Sequence, residues 1–244
     1  MTTPRQRADR ILVDRGLFES RAKAQAAIEA GLVTADERTV LRPSEQIPTD
    51  AELRASPAHP YVSRGGLKLA AALDHFGFDP KNRICLDVGA STGGFTQVLL
   101  ARGARRIYAV DVGTNQLHQR LRTRPEVVSL DATDIRKLSR DDIGEPPDFV
   151  SIDVSFISLK LTLPSALGLA KPPAHLVALI KPQFEAGPGA TKKGIVRDAT
   201  TQEATCDDIA NLAMSLGWRV LGVIPSPILG GDGNAEFLLG AIRD

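Results

Sequence analysis

In the second part of the chain, short apolar runs alternate with longer amphipathic stretches. The apolar runs predict strands, at 84–88, 107–112, 127–130, 149–154 and 176–180. The amphipathic stretches predict helices, at 94–102, 159–169 and 202–216. A further helix is expected after Ser63 as its cap, with Leu67, Ala71, Leu73 and Phe76 on its apolar face. Strands that are apolar throughout are typical of a parallel sheet covered by helices on both faces.

The end of the chain departs from this alternation. Two more strands are predicted at 219–225 and 236–241, and the segment between them is rich in Gly and Pro and too short for a crossover helix. These strands should therefore pair antiparallel as a hairpin. An α/β sheet that ends in such a hairpin resembles the seven-stranded, Rossmann-like methyltransferase fold more than the fold of dinucleotide dehydrogenases.

Residues 1–53 follow a different pattern and predict a small α+β domain. Two short helices are expected at 7–15 and 21–30, the second capped by Ser20. A small hairpin follows, and then a polar stretch at 45–53 whose rhythm is compatible with β-structure.

A linker is predicted at 54–62, because this segment contains Pro57 and Pro60 and shows no periodicity. The predicted organisation is therefore a small domain at 1–53, the linker, and a larger domain at 63–244.

Basic residues are concentrated in the small domain. They are Arg5, Arg7, Arg10, Arg15, Arg21 and Lys23. Two adjacent helices can place part of this set on one face, where it would contact RNA phosphates. The alternative is a solvated helical hairpin whose charges have no function. The pattern resembles the S4 RNA-binding domain, which implies an RNA partner, through Arg7, Asp9, Leu12, Arg15, Gly16, Leu17, Ser20, Arg21, Ala24, Ile28, Gly31 and Val33.

The overall composition narrows the function classes. The formal net charge is +1, so RNA binding has to come from a local basic surface. Cys85, Cys206 and the scattered histidines form no disulfide framework and no metal-ligand spacing, so no metal is expected. The N-terminus lacks an apolar signal segment, and no run approaches the ~20 apolar residues of a membrane span. We therefore expect a cytoplasmic protein without stable membrane association.

A glycine-rich turn follows the first strand of the large domain. Glycines there let the backbone approach a ligand, and the helix N-terminus offers free N–H groups. The expected cofactor-binding residues are Asp87, Gly89, Ala90, Ser91, Gly93, Gly94, Phe95, Asp111 and Asp131. Asp111 suits ribose hydroxyls, whereas Asp131 either faces the adenine or is a solvated loop carboxylate. The spacing Gly-x-x-x-Gly-Gly differs from that of dinucleotide sites and, with Phe95, resembles motif I of S-adenosylmethionine-dependent methyltransferases.

Lys68, Asp153, Lys181 and Glu236 are predicted where elements end at the ligand-binding edge of the sheet. Each alone is more often a surface charge, but four together suit methyl transfer to a ribose hydroxyl, a poor nucleophile that needs a base or electrostatic help. A solvated lysine is protonated, so Lys181 acts as the base only if burial and the neighbouring cation Lys68 favour its neutral form. Asp153 is expected to orient this amine, and Glu236 to bind Lys68 or hold the ribose.

Segments that contain these residues resemble the TlyA family, at 61–69, 86–96, 152–160, 179–185 and 225–236. Its members are called hemolysins by history and are S4-domain-containing, FtsJ-like ribosomal RNA 2′-O-methyltransferases by chemistry. The resemblance covers essentially the whole chain and implies a Lys-Asp-Lys-Glu catalytic tetrad, S-adenosylmethionine as cofactor, and methylation of cytidine ribose in ribosomal RNA or ribosomal subunits. Tyr61 stands where one form of the family has a tryptophan, so a gating role of this linker is not implied.

Other basic residues are candidates for the RNA surface or are isolated surface charges. Arg64, Arg105 and Arg106 could extend this surface onto the large domain, and Lys192 and Lys193 could close over the substrate. Three alternative functions remain at this point: a membrane-active hemolysin, an RNA-binding module with an inactive methyltransferase domain, and a nicotinamide-dependent oxidoreductase. The first lacks a suitable apolar segment, the second is disfavoured by the intact tetrad, and the third by the loop spacing and the terminal hairpin.

Overall fold

The first of two units in the computed structural model of the chain, Met1–Pro60, combines two helices with two small sheets. The structure describes residues 3–187, 189–191, 194–230 and 233–244. The helices are α1 (Ala8–Asp14) and α2 (Arg21–Glu29). The strands are β1 (Arg5–Arg7), β2 (Val33–Ala35), β3 (Arg38–Thr39), β4 (Gln46–Pro48) and β5 (Leu53–Ala55). β1 pairs with β4, and β2 pairs with both β3 and β5, all antiparallel.

The two helices of this unit begin and end close to their predicted bounds. The Ser20 side chain accepts a hydrogen bond from the Lys23 amide at 3.4 Å and so caps α2. Buried Leu12, Ile28 and Ile47 belong to its core. β1 was not predicted, because a three-residue strand is too short to show an alternation and forms only by pairing with the distant β4. β5 includes Arg54 and Ala55, which the sequence pattern assigns to the linker.

The second unit, Tyr61–Asp244, contains a seven-stranded sheet. Its strands are β6 (Ile84–Val88), β7 (Arg106–Val110), β8 (Val127–Leu130), β9 (Phe149–Ile152), β10 (Ala174–Ile180), β11 (Arg219–Pro225) and β12 (Phe237–Arg243). The strand order is β11-β12-β10-β9-β6-β7-β8. β12 is antiparallel to both of its neighbours, and the other pairs are parallel. The predicted seven-stranded α/β sheet with an antiparallel terminal hairpin is thus confirmed.

Helices cover both faces of this sheet. They are α3 (Gly65–Phe76), α4 (Gly94–Ala101), α5 (Gln119–Arg122), α6 (Leu159–Leu169), α7 (Pro182–Glu185) and α8 (Ala199–Ser215). Two short 3₁₀ helices lie at Ile135–Lys137 and Arg140–Asp142. Apolar side chains between the sheet and the helices form two buried clusters.

The start of α3 differs from the prediction. The cap residue is Arg64 rather than Ser63, and no side chain caps the helix. Lys68 faces the interior, where it meets Glu236, so its neighbours Leu69 and Ala72 are buried and Leu67 is only half-buried. Leu73 is buried and Phe76 packs against the core as predicted, but the buried face also includes Leu69 and Ala72, which the predicted apolar face did not contain.

The strand order reverses between β6 and β9. β6 is followed in space by β7 and β8 on one side, whereas β9 is followed by β10 on the other. Loops on either side of such a reversal leave in opposite directions and create a crevice at the carboxyl ends of the strands, where ligands bind in open α/β sheets.

Candidate active site

Two adjoining cavities lie at the carboxyl edge of the sheet, in the crevice between β6 and β9. The larger cavity has a volume of about 570 Å³, and the smaller cavity about 280 Å³. Both are lined by Gly89, Ser91, Asp153 and Ser155. The larger volume lies within the range of small-molecule sites, and the smaller cavity gives a second ligand direct access to the first.

The glycine-rich loop forms part of the wall between the cavities. Ala90, Gly94 and Phe95 line the smaller cavity in addition to the shared Gly89 and Ser91. Gly93 lines neither cavity. It adopts φ +96°, and a Cβ there would lie 2.4 Å from a Leu121 side-chain carbon.

Close packing explains two of these glycines. A Cβ on Gly89, whose φ is +81°, would lie 2.3 Å from the backbone oxygen of Asp153. A Cβ on Gly94 would lie 2.2 Å from Ser63 Oγ. The loop after β6 therefore touches the backbone of Asp153 directly, which only glycine permits.

Asp87 does not line either cavity, contrary to its predicted role in cofactor contact. It is buried in β6, where one carboxylate oxygen accepts a hydrogen bond from Thr96 Oγ1 at 2.6 Å and the other from Ser151 Oγ at 2.9 Å. Burial raises the pKa of this carboxyl to about 6. Asp87 therefore joins β6, α4 and β9 beneath the glycine-rich loop.

Asp111 lines the larger cavity, as expected. Its carboxylate accepts hydrogen bonds from the amides of Ser91 and Gly113, both at 2.7 Å. These bonds connect the loop after β7 to the glycine-rich loop and fix the carboxylate at the cavity wall.

Asp131 does not line the cavity, whereas Asp134 does. The Arg122 guanidinium forms an ion pair with the Asp131 carboxylate at 2.6 Å and lowers the pKa of that carboxyl. Arg136 lowers the pKa of Asp134 to about 2. The sequence analysis named only Asp131 after β8 and missed Asp134, which caps the 3₁₀ helix Ile135–Lys137.

Lys181 and Asp153 meet at the smaller cavity. Lys181 Nζ lies 2.6 Å from Asp153 Oδ1, an ion-pair distance, although the contact does not have the angles of a hydrogen bond. The same Nζ donates a hydrogen bond to Ser155 Oγ at 2.8 Å. Only 8% of Lys181 is exposed to solvent, so its amine faces the cavity and these two partners rather than bulk water.

Lys68 and Glu236 form a second buried pair. Lys68 Nζ donates a hydrogen bond to Glu236 Oε2 and joins α3 to the residue before β12, 168 positions later. Lys68 lines the smaller cavity, whereas Glu236 reaches it only through Lys68. The structure thus brings three of the four predicted catalytic side chains to one cavity and couples the fourth to it.

Phe156 is a site residue that the sequence patterns did not single out. Its side chain lies at the larger cavity and the residue is 91% exposed. Its φ is +63°, a conformation that a bulky residue adopts only under strain, and such strain is concentrated at functional sites. Its ring centroid lies 5.1 Å from that of Phe184. The only available signal was an aromatic residue just beyond the strand that ends before Asp153.

Two of the predicted RNA-binding residues of the small unit, Arg7 and Arg21, form ion pairs with a buried carboxylate. Arg7 and Arg21 lie 3.0 Å and 2.7 Å from Asp9 Oδ2, and Gln25 donates to the same oxygen. The Asp9 side chain is fully buried. The Arg7 guanidinium, more than any other neighbour, holds the pKa of this carboxyl well below its usual range.

The other predicted RNA-binding residues of the small unit differ in the hydrogen bonds and ion pairs that they form within the protein. Arg15 donates to the backbone oxygens of Thr49 and Ala51, and Arg5 donates to the backbone oxygen of Gln46. Lys23 pairs with Glu19 at 2.7 Å. Arg10 has a weaker ion pair, 4.0 Å from Asp14, and its side chain is 68% exposed.

Among the basic residues of the large unit, exposed Arg64 lines the smaller cavity. Arg105 and Arg106 lie at the start of β7, the edge of the sheet opposite both cavities, and Arg105 pairs with Glu145 at 2.7 Å. They are therefore not brought to the site. Lys192 and Lys193 lie outside the described residues.

The chain matches the FtsJ-like methyltransferase family over residues 61–243 and the S4 domain over residues 6–53. It is 42% identical to the 16S/23S rRNA (cytidine-2′-O)-methyltransferase TlyA of Mycobacterium tuberculosis, over 96% of this chain and 89% of the relative. It is 38% identical to the 23S rRNA (cytidine-2′-O)-methyltransferase TlyA of Campylobacter jejuni, over 75% of this chain and 72% of the relative. A solved structure of a hemolysin-named protein from Streptococcus thermophilus is similar with a TM-score of 0.78 and 42% identity, over 99% of this chain and 90% of that chain.

Two further features are relevant to the alternative functions: a membrane-spanning helix and a metal-binding group of side chains. No described helix has both the length and the apolar character required to cross a membrane. No group of three or more His, Cys, Asp or Glu side chains among the described residues is placed to hold a metal ion.

Proposed function

Since this chain belongs to the TlyA family of FtsJ-like methyltransferases with an S4 domain, we propose that it methylates the 2′-hydroxyl of a cytidine ribose in ribosomal RNA, using S-adenosylmethionine. One observation carries the proposal: two lysines and a carboxylate line a small cavity that shares a wall with a cofactor-sized cavity. The substrate implies a cytoplasmic location.

The larger cavity fits S-adenosylmethionine in chemistry as well as in volume. Asp111 can accept hydrogen bonds from ribose hydroxyls, and Asp134 from an adenine amino group. Val112 and Ile135 supply apolar wall for the adenine ring. Gly89 lines both cavities, at the shared wall where the sulfonium end would face the smaller cavity. When bound, this cofactor supplies an electrophilic methyl group.

Lys181 is the proposed base. In its neutral form the amine would take the proton of the 2′-hydroxyl and become an ammonium, while the oxygen gains the methyl group, the methyl–sulfur bond breaks and S-adenosylhomocysteine leaves. The Asp153 carboxylate, 2.6 Å from Nζ, stabilises that ammonium and orients the amine beforehand. Lys181 is only 8% exposed, so its amine meets the cavity and its two partners rather than bulk water.

The Lys68–Glu236 pair is proposed to position the ribose. Lys68 lines the smaller cavity and can donate to a ribose oxygen with the N–H groups that Glu236 does not use. Glu236, which is only 5% exposed, accepts a hydrogen bond from Lys68 and so fixes the direction of the Lys68 side chain. Removal of either partner leaves a buried charge unpaired.

RNA binding is proposed to involve both units. Phe156 offers an exposed ring on which an unstacked base can lie, and Arg64 offers a cation to the phosphate beside it. We assign RNA binding by the small unit to residues 1–53 and catalysis to 63–244, joined by 54–62. Within the small unit, Arg10 is best placed to contact phosphate, because its own ion pair is long and exposed.

The experiment is transfer of labelled methyl from S-adenosylmethionine to ribosomal subunits that lack the modification. We expect incorporation into ribosomal RNA by the wild-type protein, with no leakage of dye from liposomes at the same protein concentration. Absence of incorporation into either subunit, despite measurable binding of the cofactor, would overturn the proposal. Leakage without incorporation would instead support a membrane-active protein.

A further inference from the structure

Ser155 is the second partner of the Lys181 amine and lies outside the Lys-Asp-Lys-Glu tetrad. Its Oγ accepts a hydrogen bond from Lys181 Nζ at 2.8 Å, and the residue lines both cavities at their shared wall. We propose that Ser155 is a positioning residue that fixes the rotation of the Lys181 amine so that its lone pair faces the ribose hydroxyl. This inference rests on the proposed function and deepens it.

The nitrogen of a neutral lysine amine carries two N–H groups and one lone pair in a tetrahedral arrangement. Rotation about the last bond of the lysine side chain can point any of the three at the substrate. Ser155 Oγ accepts a hydrogen bond from Nζ at 2.8 Å, and Asp153 Oδ1 lies 2.6 Å away as the ion-pair partner, so each attracts one of the two N–H groups. The remaining direction belongs to the lone pair, which is the group that has to accept the proton.

Asp153 alone cannot achieve this. With one acceptor, two rotations of the amine place an N–H on that acceptor, and the lone pair faces the substrate in only one of them. A second acceptor removes this freedom before the substrate arrives. Misplaced catalytic groups lose on the order of 10²-fold in rate, so preorganisation of this kind has a measurable effect.

The backbone around Ser155 is fixed on both sides. Before it, the Asp153 amide donates to the Val88 backbone oxygen at 2.8 Å, and Gly89 packs against the Asp153 backbone oxygen. After it, Phe156 adopts φ +63°. Ser155 is exposed at the cavity wall, and its hydroxyl is directed to Lys181 Nζ by the 2.8 Å hydrogen bond.

The test compares Ser155→Ala, which removes the acceptor, with Ser155→Thr, which keeps it. We expect kcat for methyl transfer to fall by about 10- to 100-fold in Ser155→Ala, with KM for RNA and the affinity for S-adenosylmethionine changed by less than about twofold. Ser155→Thr should recover most of the rate. Ser158→Ala is the matched control, because Ser158 lies in the same loop but its hydroxyl donates to Glu185 instead of accepting from Lys181.

A readout independent of turnover is the mobility of the Lys181 side chain. NMR of protein labelled with ¹³C-lysine, without cofactor or RNA, should show a rigid Lys181 Cε in the wild type and in Ser155→Thr, and a mobile one in Ser155→Ala. Lys160, a surface lysine paired with Asp208, serves as the internal reference. A merely structural role of Ser155 would lower Tm without this local change.

The inference is overturned if Ser155→Ala keeps wild-type kcat, or if Lys181 is equally rigid in both proteins. It is also overturned if Ser155→Thr is as slow as Ser155→Ala while Lys181 stays rigid in it. Failure of the proposed function looks different: the wild type itself would transfer no methyl to ribosomal RNA, and the NMR comparison would still report on the amine.

Discussion

Carboxylates in the two units bind their cations in different ways. In the small unit, the fully buried Asp9 carboxylate pairs with Arg7 and Arg21, whose side chains are 42% and 57% exposed. In the large unit, Asp153 pairs with Lys181 at the wall of a cavity, where one side of the pair is left for a ligand. The same residue types therefore give a structural cluster in one place and a candidate catalytic site in the other.

This difference shows what a charged sequence motif can and cannot indicate. Arg7, Asp9 and Arg21 belong to the pattern that identifies the S4 domain, yet their contacts are with each other. A motif cation can thus stabilise its own domain through a buried carboxylate while part of its side chain stays exposed. We expect substitutions in the small-unit cluster to change mainly stability, and substitutions at the cavity to change mainly catalysis.

The largest expected effect is that of Lys181→Ala. Loss of the base should lower kcat by about 10²- to 10⁴-fold, and Tm should change little because the cavity lets water reach the remaining Asp153 carboxylate. Methyl transfer and thermal unfolding measured on the same preparation test both parts. Lys160→Ala, on the surface of α6, is the control and should keep the wild-type rate. A Lys181→Ala protein with normal kcat would remove this residue from the mechanism.

The next effect concerns the loop that touches Asp153. Gly89→Ala places a Cβ 2.3 Å from the Asp153 backbone oxygen and strains a residue at φ +81°. The displacement should lower kcat/KM by roughly 10²-fold, measured by steady-state kinetics. It should also lower the affinity for S-adenosylmethionine, measured by calorimetry. Gly168→Ala, in α6 with no atom within 4 Å of its added Cβ, should leave both unchanged. Equal behaviour of the two variants would contradict the described contact.

In the small unit, Asp9→Asn tests the cluster that Asp9 forms with Arg7 and Arg21. It should lower the free energy of unfolding of this unit by about 2 kcal/mol, because charged hydrogen bonds to a fully buried carboxylate are lost. Hydrogen exchange of the α1 and α2 amides reports this loss separately from the large unit. The rate of methyl transfer at saturating RNA should stay within a few-fold of wild type. A drop in kcat with unchanged exchange would reverse the distinction between the two regions.

The pH dependence of the same cluster has a defined sign. The pKa of Asp9 is lowered in the folded protein, so its stabilising contribution is complete above the unfolded pKa of about 3.9 and is lost as pH falls towards the folded pKa. Protection of α1 and α2 should therefore decrease below about pH 4 in the wild type. Asp9→Asn should show a shallower decrease over that range, and an identical slope in both proteins would contradict the assignment.

The smallest expected effect concerns two arginines, Arg10 within α1 and Arg15 at its C-terminal cap. Arg10→Ala removes an exposed cation and should weaken RNA binding by a few-fold, with the salt dependence of the affinity reduced by about one unit of slope. Arg15→Ala removes donors to the backbone oxygens of Thr49 and Ala51 and should lower the stability of the small unit instead. Filter binding at several salt concentrations and hydrogen exchange distinguish the two outcomes.

Much of the fold could be predicted from local patterns. β6 and β9 are buried throughout and apolar except for Asp87 and Ser151, and they were placed to within two residues, because burial on both faces leaves a nearly continuous signal. The terminal hairpin followed from a connection too short for a helix. β1 was missed, because three residues gain their structure only from a partner far along the chain.

The site was predictable where chemistry dictates a residue type at a strand end and unpredictable where tertiary contacts decide. Lys181 and Asp153 follow adjacent strands, so their proximity was expected. Asp87 was expected at the cofactor but bonds Thr96 and Ser151 inside the sheet. No local signal distinguishes a strand aspartate that lines a cavity from one that does not.

The central claim is that the cavity pair acts on a ribose oxygen, and the most direct measurement identifies the methylated atom. Ribosomal RNA methylated by the wild-type protein is digested to nucleosides and analysed by mass spectrometry. We predict 2′-O-methylcytidine as the new nucleoside, absent after treatment with Lys181→Ala. A methyl group on a base, or 2′-O-methylcytidine formed equally well by Lys181→Ala, would contradict the account.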